Sequence, residues 1–106
     1  DIKEMTAILA SIDGLYACFD TNHSLKDDNV EFVRALGSRI IALHVSDYDF
    51  INERHRMPFD GKNDWKGIMN ALKEAGYSGT WNYEVSTDGR SAAEFTENYA
   101  RLLENA

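Results

Sequence analysis

The stretch Arg39-Ile40-Ile41-Ala42-Leu43-His44-Val45-Ser46-Asp47 constrains the fold of this chain more than any other. It is an apolar run that stops at a histidine, with an aspartate three residues further on. Its neighbours share the design: Leu15-Tyr16-Ala17-Cys18-Phe19 runs into Asp20-Thr21-Asn22-His23, and Thr80-Trp81-Asn82-Tyr83 runs into Glu84. Segments of helical periodicity separate the three runs, and each run ends in a side chain able to bind a metal or move a proton. This alternation predicts an α/β fold with a parallel sheet whose chemistry lies at the carboxyl ends of its strands.

Strand side chains alternate between faces. With Asp20 on the functional side, Cys18 and Tyr16 share its face while Phe19 and Ala17 point the other way. The same count sets Ala42 with His44 against Leu43 and Ile41, and Asn82 with Glu84 against Tyr83 and Trp81. One face beside the functional groups then carries Cys18, Ala42 and Asn82, small or polar; the other carries Phe19, Leu43 and Tyr83. The large apolar face suits packing against helices, and the small one suits the inside of a closed barrel beside a pocket.

The intervening segments read as helices. Met5, Ile8, Leu9 and Ile12 have amphipathic helical spacing, with Gly14 as the expected left-handed terminator. Val30, Val33 and Leu36 form a stripe over a second helix from Asn29 to Ser38, closed by Gly37. In a third, Asn63 or Asp64 is the N-cap, Trp65, Ile68, Met69 and Leu72 are the buried stripe, and Gly76 is the end. Ser91-Ala92-Ala93-Glu94 is a capping box that opens a fourth, with Phe95, Tyr99, Leu102 and Leu103 on one face. A long polar loop lies between Val45 and Asp64, and loops of that length in compact domains carry function or are disordered.

Right-handed crossovers make the three strands parallel and adjacent, with their carboxyl ends on one rim. A closed barrel of this kind takes eight βα units and about 250 residues. The 106 residues here supply three units, a single partial domain over 1–106. The chain begins at Asp1, just before its first helix and without an initiator methionine, and reads as a piece of a longer protein, with a trimmed leader as the alternative reading.

Composition removes several classes of function. Eighteen acidic against eleven basic residues give a formal net charge of -7, which disfavours a grip on phosphate backbones or anionic membranes. Neither nucleic acid nor a membrane is expected as a partner, and no apolar run reaches the roughly 18 residues of a membrane span. One cysteine, Cys18, forms no internal disulfide, which suits a reducing cytosol and an expected cytoplasmic location.

Asp20, His44 and Glu84 are the expected metal ligands. Two carboxylates and an imidazole, each from a different strand end, suit a divalent Mn, Co, Mg or Zn ion and leave positions open for substrate. His23, three residues past Asp20, either reaches the same ion or hydrogen-bonds the substrate. Singly, each has an ordinary reading as a turn, structural or salt-bridge residue; their appearance at three successive strand ends is what carries the argument.

These residues also carry a resemblance. Phe19-Asp20-Thr21-Asn22-His23, Leu43-His44-Val45-Ser46-Asp47, the loop His55-x-x-Pro58-x-x-Gly61-x-x-Asp64-Trp65, the segment from Ala71 to Gly79, and Tyr83-Glu84 together resemble the C-terminal part of the xylose-isomerase-like barrel superfamily. That superfamily includes sugar phosphate isomerases and epimerases, ketose 3-epimerases, inosose dehydratase-like enzymes and endonuclease-IV-type repair enzymes. The match runs from Gly14 to Glu84 and specifies the superfamily rather than a substrate.

The resemblance implies that the chain is the last three βα units of a (β/α)8 barrel and that its substrate is a small sugar or polyol. Asp20, His44 and Glu84 match metal ligands of the family's epimerases, whose fourth ligand, a glutamate from an earlier strand, would precede Asp1. Glu84 also matches one member of the pair of carboxylates that exchange a proton beside the carbonyl. His23, His55 and Asp47 are expected at the substrate. Glu53-Arg54-His55 is similar to the loop in which the repair enzymes place an Asp-x-His pair for an additional zinc. With one ligand and one proton-transferring group absent, the 106 residues alone are expected to catalyse little. Two other readings stand beside this one: a noncatalytic αβ module that self-associates through open strand edges or joins a missing N-terminal half, and a metal-dependent phosphodiesterase of the endonuclease-IV kind.

Overall fold

The computed structural model describes residues 1–22, 27–51, 54–87 and 89–104. The order is α1 (Ile2–Ser11), β1 (Ala17–Asp20), α2 (Asn29–Leu36), a 3-10 turn (Gly37–Arg39), β2 (Ile40–His44), α3 (Trp65–Glu74) and α4 (Ala92–Glu104). β1 and β2 pair in parallel, as strands joined by a helical crossover must.

Each helix starts where its sequence provides a cap. The Asp1 carboxylate accepts from Glu4 N–H, Asp28 from Val30 and Glu31 N–H, and Asp64 from Gly67 N–H, which satisfies N–H groups that the first turn leaves without partners. Ser91 Oγ accepts from Glu94 N–H at 3.4 Å at the start of α4. α1 stops at Ser11, three residues short of Gly14, because Ile12 is already extended. Arg39 covers that helix end, donating to the carbonyls of Leu9, Ile12 and Leu15.

The core lies between the sheet and the helices. Phe19, Leu43 and Val45 from the sheet side meet Val33 and Leu36 of α2, Ile68 and Leu72 of α3, and Leu102 of α4, all buried. Phe19 stacks on Phe32 with ring centroids 5.5 Å apart. The expected stripe of α3 is buried in full, whereas α1 buries Leu9 alone and leaves Ile8 and Ile12 about half exposed.

Two expectations are corrected. Ile41 was expected on the face of Leu43, yet it is 57% exposed while Ile40 is 3% exposed. The ladder pairs Ala17 with Ile40 and then Cys18 with Ala42; Ile41 is the extra residue of a bulge, and one extra residue inverts the alternation before it. The third run, 80–83, forms no strand. It makes one parallel bridge, Val45 with Tyr83, in which Val45 N–H donates to Asn82 O at 2.7 Å and Glu84 N–H to Val45 O at 2.8 Å. Its aromatic rings turn to α4, Trp81 meeting Tyr99 and Tyr83 meeting Phe95, and among the described residues no strand pairs with its far side. The parallel order of the three runs nevertheless stands, with β2 in the middle. No helix among the described residues is long and apolar enough to cross a membrane.

Candidate functional site

Asp20 and His44 are the last residues of β1 and β2 and occupy paired positions in the ladder. Glu84 follows the bridge on the other side of β2. The three side chains converge: His44 Nδ1 stands 3.6 Å from Asp20 Oδ2 and 3.7 Å from Glu84 Oε2. One potential ligand atom from each lies within 4.8 Å of the others. Cys18 and Ala42, paired two residues earlier, lie on the same face. The Cys18 thiol is pushed up by burial, and further by the negative charges of Asp20 and Glu84.

A divalent ion fits this donor set. Two carboxylates face one imidazole, all three reach solvent, and the field they impose on Cys18 is negative. Hard oxygen and imidazole nitrogen donors of this mix bind Mn, Co, Mg or Zn.

Asp47 lies at the centre of the long loop. It is fully buried, and its carboxylate accepts from five donors: Tyr48 N–H and Asn63 N–H on Oδ1, and Phe59 N–H, Gly61 N–H and the Trp65 indole on Oδ2. Its main chain also exchanges two hydrogen bonds with Arg56, at 2.7 and 2.9 Å. With its oxygens committed in this way, Asp47 folds the long loop. Gly61 is needed here because a Cβ would stand 2.5 Å from Asp47 Oδ1 and 2.6 Å from Tyr48 O. Tyr48, buried beside Asp47, has its phenol pushed up to about 12, first by burial and then by the charges of Asp20, Asp47 and Asp28.

The loop so folded carries His55 to the rim. Its Nδ1 lies 3.1 Å from the main-chain carbonyl of Glu84 and 3.9 Å from Glu84 Oε2. The described non-glycine residues with positive φ, Phe50, His55 and Phe59, all belong to this loop. Such conformations persist where the surroundings hold them, and they concentrate at functional sites. His23 and Glu53 lie outside the described residues.

Beneath the rim is a buried polar network that the sequence reading did not find. Thr21 Oγ1 accepts from Ser46 N–H at 2.9 Å and donates to Ser46 O. The Thr21 carbonyl accepts from both Asn29 and Asn63 side-chain amides, at 2.9 and 3.1 Å. Asn29 in turn donates to Asn63 Oδ1 at 2.6 Å. These bonds lock the start of α2 and the approach to α3 onto the end of β1. Asn63, a cap candidate in the sequence, is the one local signal of this network, and its partners are up to 42 positions away.

The chain was compared with known proteins. Residues 1–105 match the family described as xylose isomerase-like TIM barrel. A D-tagatose 3-epimerase-like protein of known structure superposes with a TM-score of 0.77 at 25% identity, over 97% of this chain and 40% of that one. An L-ribulose 3-epimerase superposes with a TM-score of 0.67 at 17% identity, over 93% of this chain and 33% of that one, a likeness of fold. The uncharacterized protein y4fM of Sinorhizobium fredii is 30% identical over 80 residues, which is 74% of this chain and 26% of that protein. The chain thus spans between a quarter and two fifths of these relatives, and its fold is a partial barrel.

Proposed function

The chain belongs to the xylose isomerase-like TIM barrel family, and we propose that the intact protein is a metal-dependent isomerase or epimerase of a sugar or sugar phosphate, with these residues as the C-terminal part of its barrel. The convergence of Asp20, His44 and Glu84 within 4.8 Å, at the ends of β1 and β2 and of the run bridged to Val45, carries the proposal. The likeness to a D-tagatose 3-epimerase-like protein supports the reaction class.

Asp20, His44 and Glu84 would hold the ion. When bound, a divalent ion there polarises the carbonyl and hydroxyl oxygens of a keto sugar and makes the adjacent C–H acidic. Asp20 is oriented for this by the Asn22 N–H, which occupies its Oδ1 at 2.8 Å, while Oδ2 turns to His44. Glu84 takes the proton from that carbon; its carboxylate is 45% exposed and its main chain is fixed at the bridge to Val45. Returning a proton on the opposite face needs a second group, which we assign to the part of the barrel outside these residues. His23 and His55 are proposed to contact the substrate's hydroxyls.

The test is exchange of solvent deuterium into a panel of ketoses and ketose phosphates by the intact protein. The proposal expects exchange at the carbon next to the carbonyl and loss of at least about 100-fold of that rate in Glu84→Gln, in line with the size of general acid–base effects. No exchange with any member of the panel, or an undiminished rate in Glu84→Gln, would contradict it.

A further inference from the structure

We propose that Asn22 is a positioning residue that ties the Asp20 carboxylate to the loop segment carrying His55, and through it to Glu84. The inference rests on the metal-centre reading above and deepens it. Asp20 and Glu84 belong to runs on opposite sides of β2, so no hydrogen-bonded ladder joins them directly. Residues 54–56 bridge that gap.

Asn22 sits at one end of the bridge. It is fully buried; its N–H donates to Asp20 Oδ1 at 2.8 Å, and its own Oδ1 accepts from Arg54 N–H at 3.0 Å. The next residue, His55, has φ +51° and places Nδ1 3.1 Å from Glu84 O. Arg56 then pairs both ways with Asp47. Three consecutive residues are therefore fastened to β1, to the Glu84 run and to the extension of β2 in turn. Loosening the first fastening frees the second, because a left-handed non-glycine backbone relaxes when its restraints go.

Among the described residues, the side-chain nitrogen of Asn22 has no hydrogen-bond partner although it is buried. Leaving a buried donor unused is unfavourable, and what offsets it is the pair of bonds made by the other polar groups of the same residue. The main-chain N–H of Asn22 holds Asp20, and its side-chain oxygen fixes the segment carrying that N–H to Arg54. Groups that hold ligands in place in this manner govern metal affinity without touching the metal, and Asn22→Ala removes the tie to Arg54 while keeping the N–H.

Two measurements on the intact protein test the role. Mn(II) affinity by calorimetry should fall about tenfold in Asn22→Ala, and the visible absorption of the Co(II)-loaded protein should shift. His55→Ala should give a similar loss, and the double variant no more than the larger single loss, because both act through one segment. Independently of any variant, Mn(II) should slow hydrogen exchange of the Arg54 amide in the wild-type protein. Losses that add in the double variant, an unchanged affinity and spectrum in folded Asn22→Ala, or Arg54 exchange indifferent to Mn(II) would overturn the role. Absence of Mn(II) uptake by the wild type would instead overturn the metal-centre reading, and this inference with it.

Discussion

The Trp65 indole donates to Asp47 Oδ2 at 2.7 Å, and both residues are buried. This bond fastens the first residue of α3 to the residue at which the β2 run ends. Because four main-chain N–H groups share the same carboxylate, Asp47→Ala would leave five donors without an acceptor, three of them buried and two part-buried. Each unsatisfied group costs about 1–3 kcal/mol, so the expected loss is at least about 4 kcal/mol by urea denaturation. Trp65→Phe removes one donor and keeps most of the apolar contact, and should lose about 1–2 kcal/mol.

Tyr48 gives the fold a sensitivity to alkali. Its phenol is pushed up to about 12 in the folded chain, from an ordinary value of 10.0. The unfolded chain therefore releases this proton first, binds fewer protons than the native state between those values, and gains relative to it. Stability is unaffected below pH 10 and falls as the pH rises from there toward about 12. Tyr83, pushed up to about 12 mainly by burial, acts in the same direction. Thermal unfolding measured from pH 8 to pH 11 should show this decline, and Tyr48→Phe should make it shallower, leaving the part due to Tyr83.

Arg39 holds the end of α1 through a guanidinium that meets the carbonyls of Leu9, Ile12 and Leu15 at once. A lysine ammonium cannot match that planar fork. Arg39→Lys should cost about 1–2 kcal/mol of stability, with the loss of hydrogen-exchange protection concentrated in the last turn of α1. Uniform loss of protection across all four helices would argue against this local role.

Much of the fold was legible because its signals are local. Caps at Asp64 and Ser91, glycines at helix ends and the stripe Trp65, Ile68, Met69, Leu72 each declare themselves within a few residues. The ends of the three runs were legible for the same reason, and Asp20, His44 and Glu84 do converge. What escaped depends on pairing over long separations. The bulge at Ile41 is a property of the ladder with β1, invisible in the alternation of β2 alone. The reduction of the third run to one bridge follows from its rings turning to α4. The structural place of Asp47 was not legible, because a strand-end aspartate near a histidine reads as part of a site. Only Gly61, Asn63 and Trp65, 14 to 18 positions later, reveal it as the centre of a loop.

The central claim is that Asp20, His44 and Glu84 form one metal centre. The most direct measurement is titration of the intact protein with Mn(II) and Co(II), followed by calorimetry and by the visible spectrum of the cobalt form, alongside Asp20→Ala, His44→Ala and Glu84→Ala. The account predicts saturable binding in the wild type and a fall of at least about tenfold in affinity for each variant, with the folded state retained because all three side chains are partly exposed. Metal content and cobalt spectrum unchanged in all three variants would contradict it.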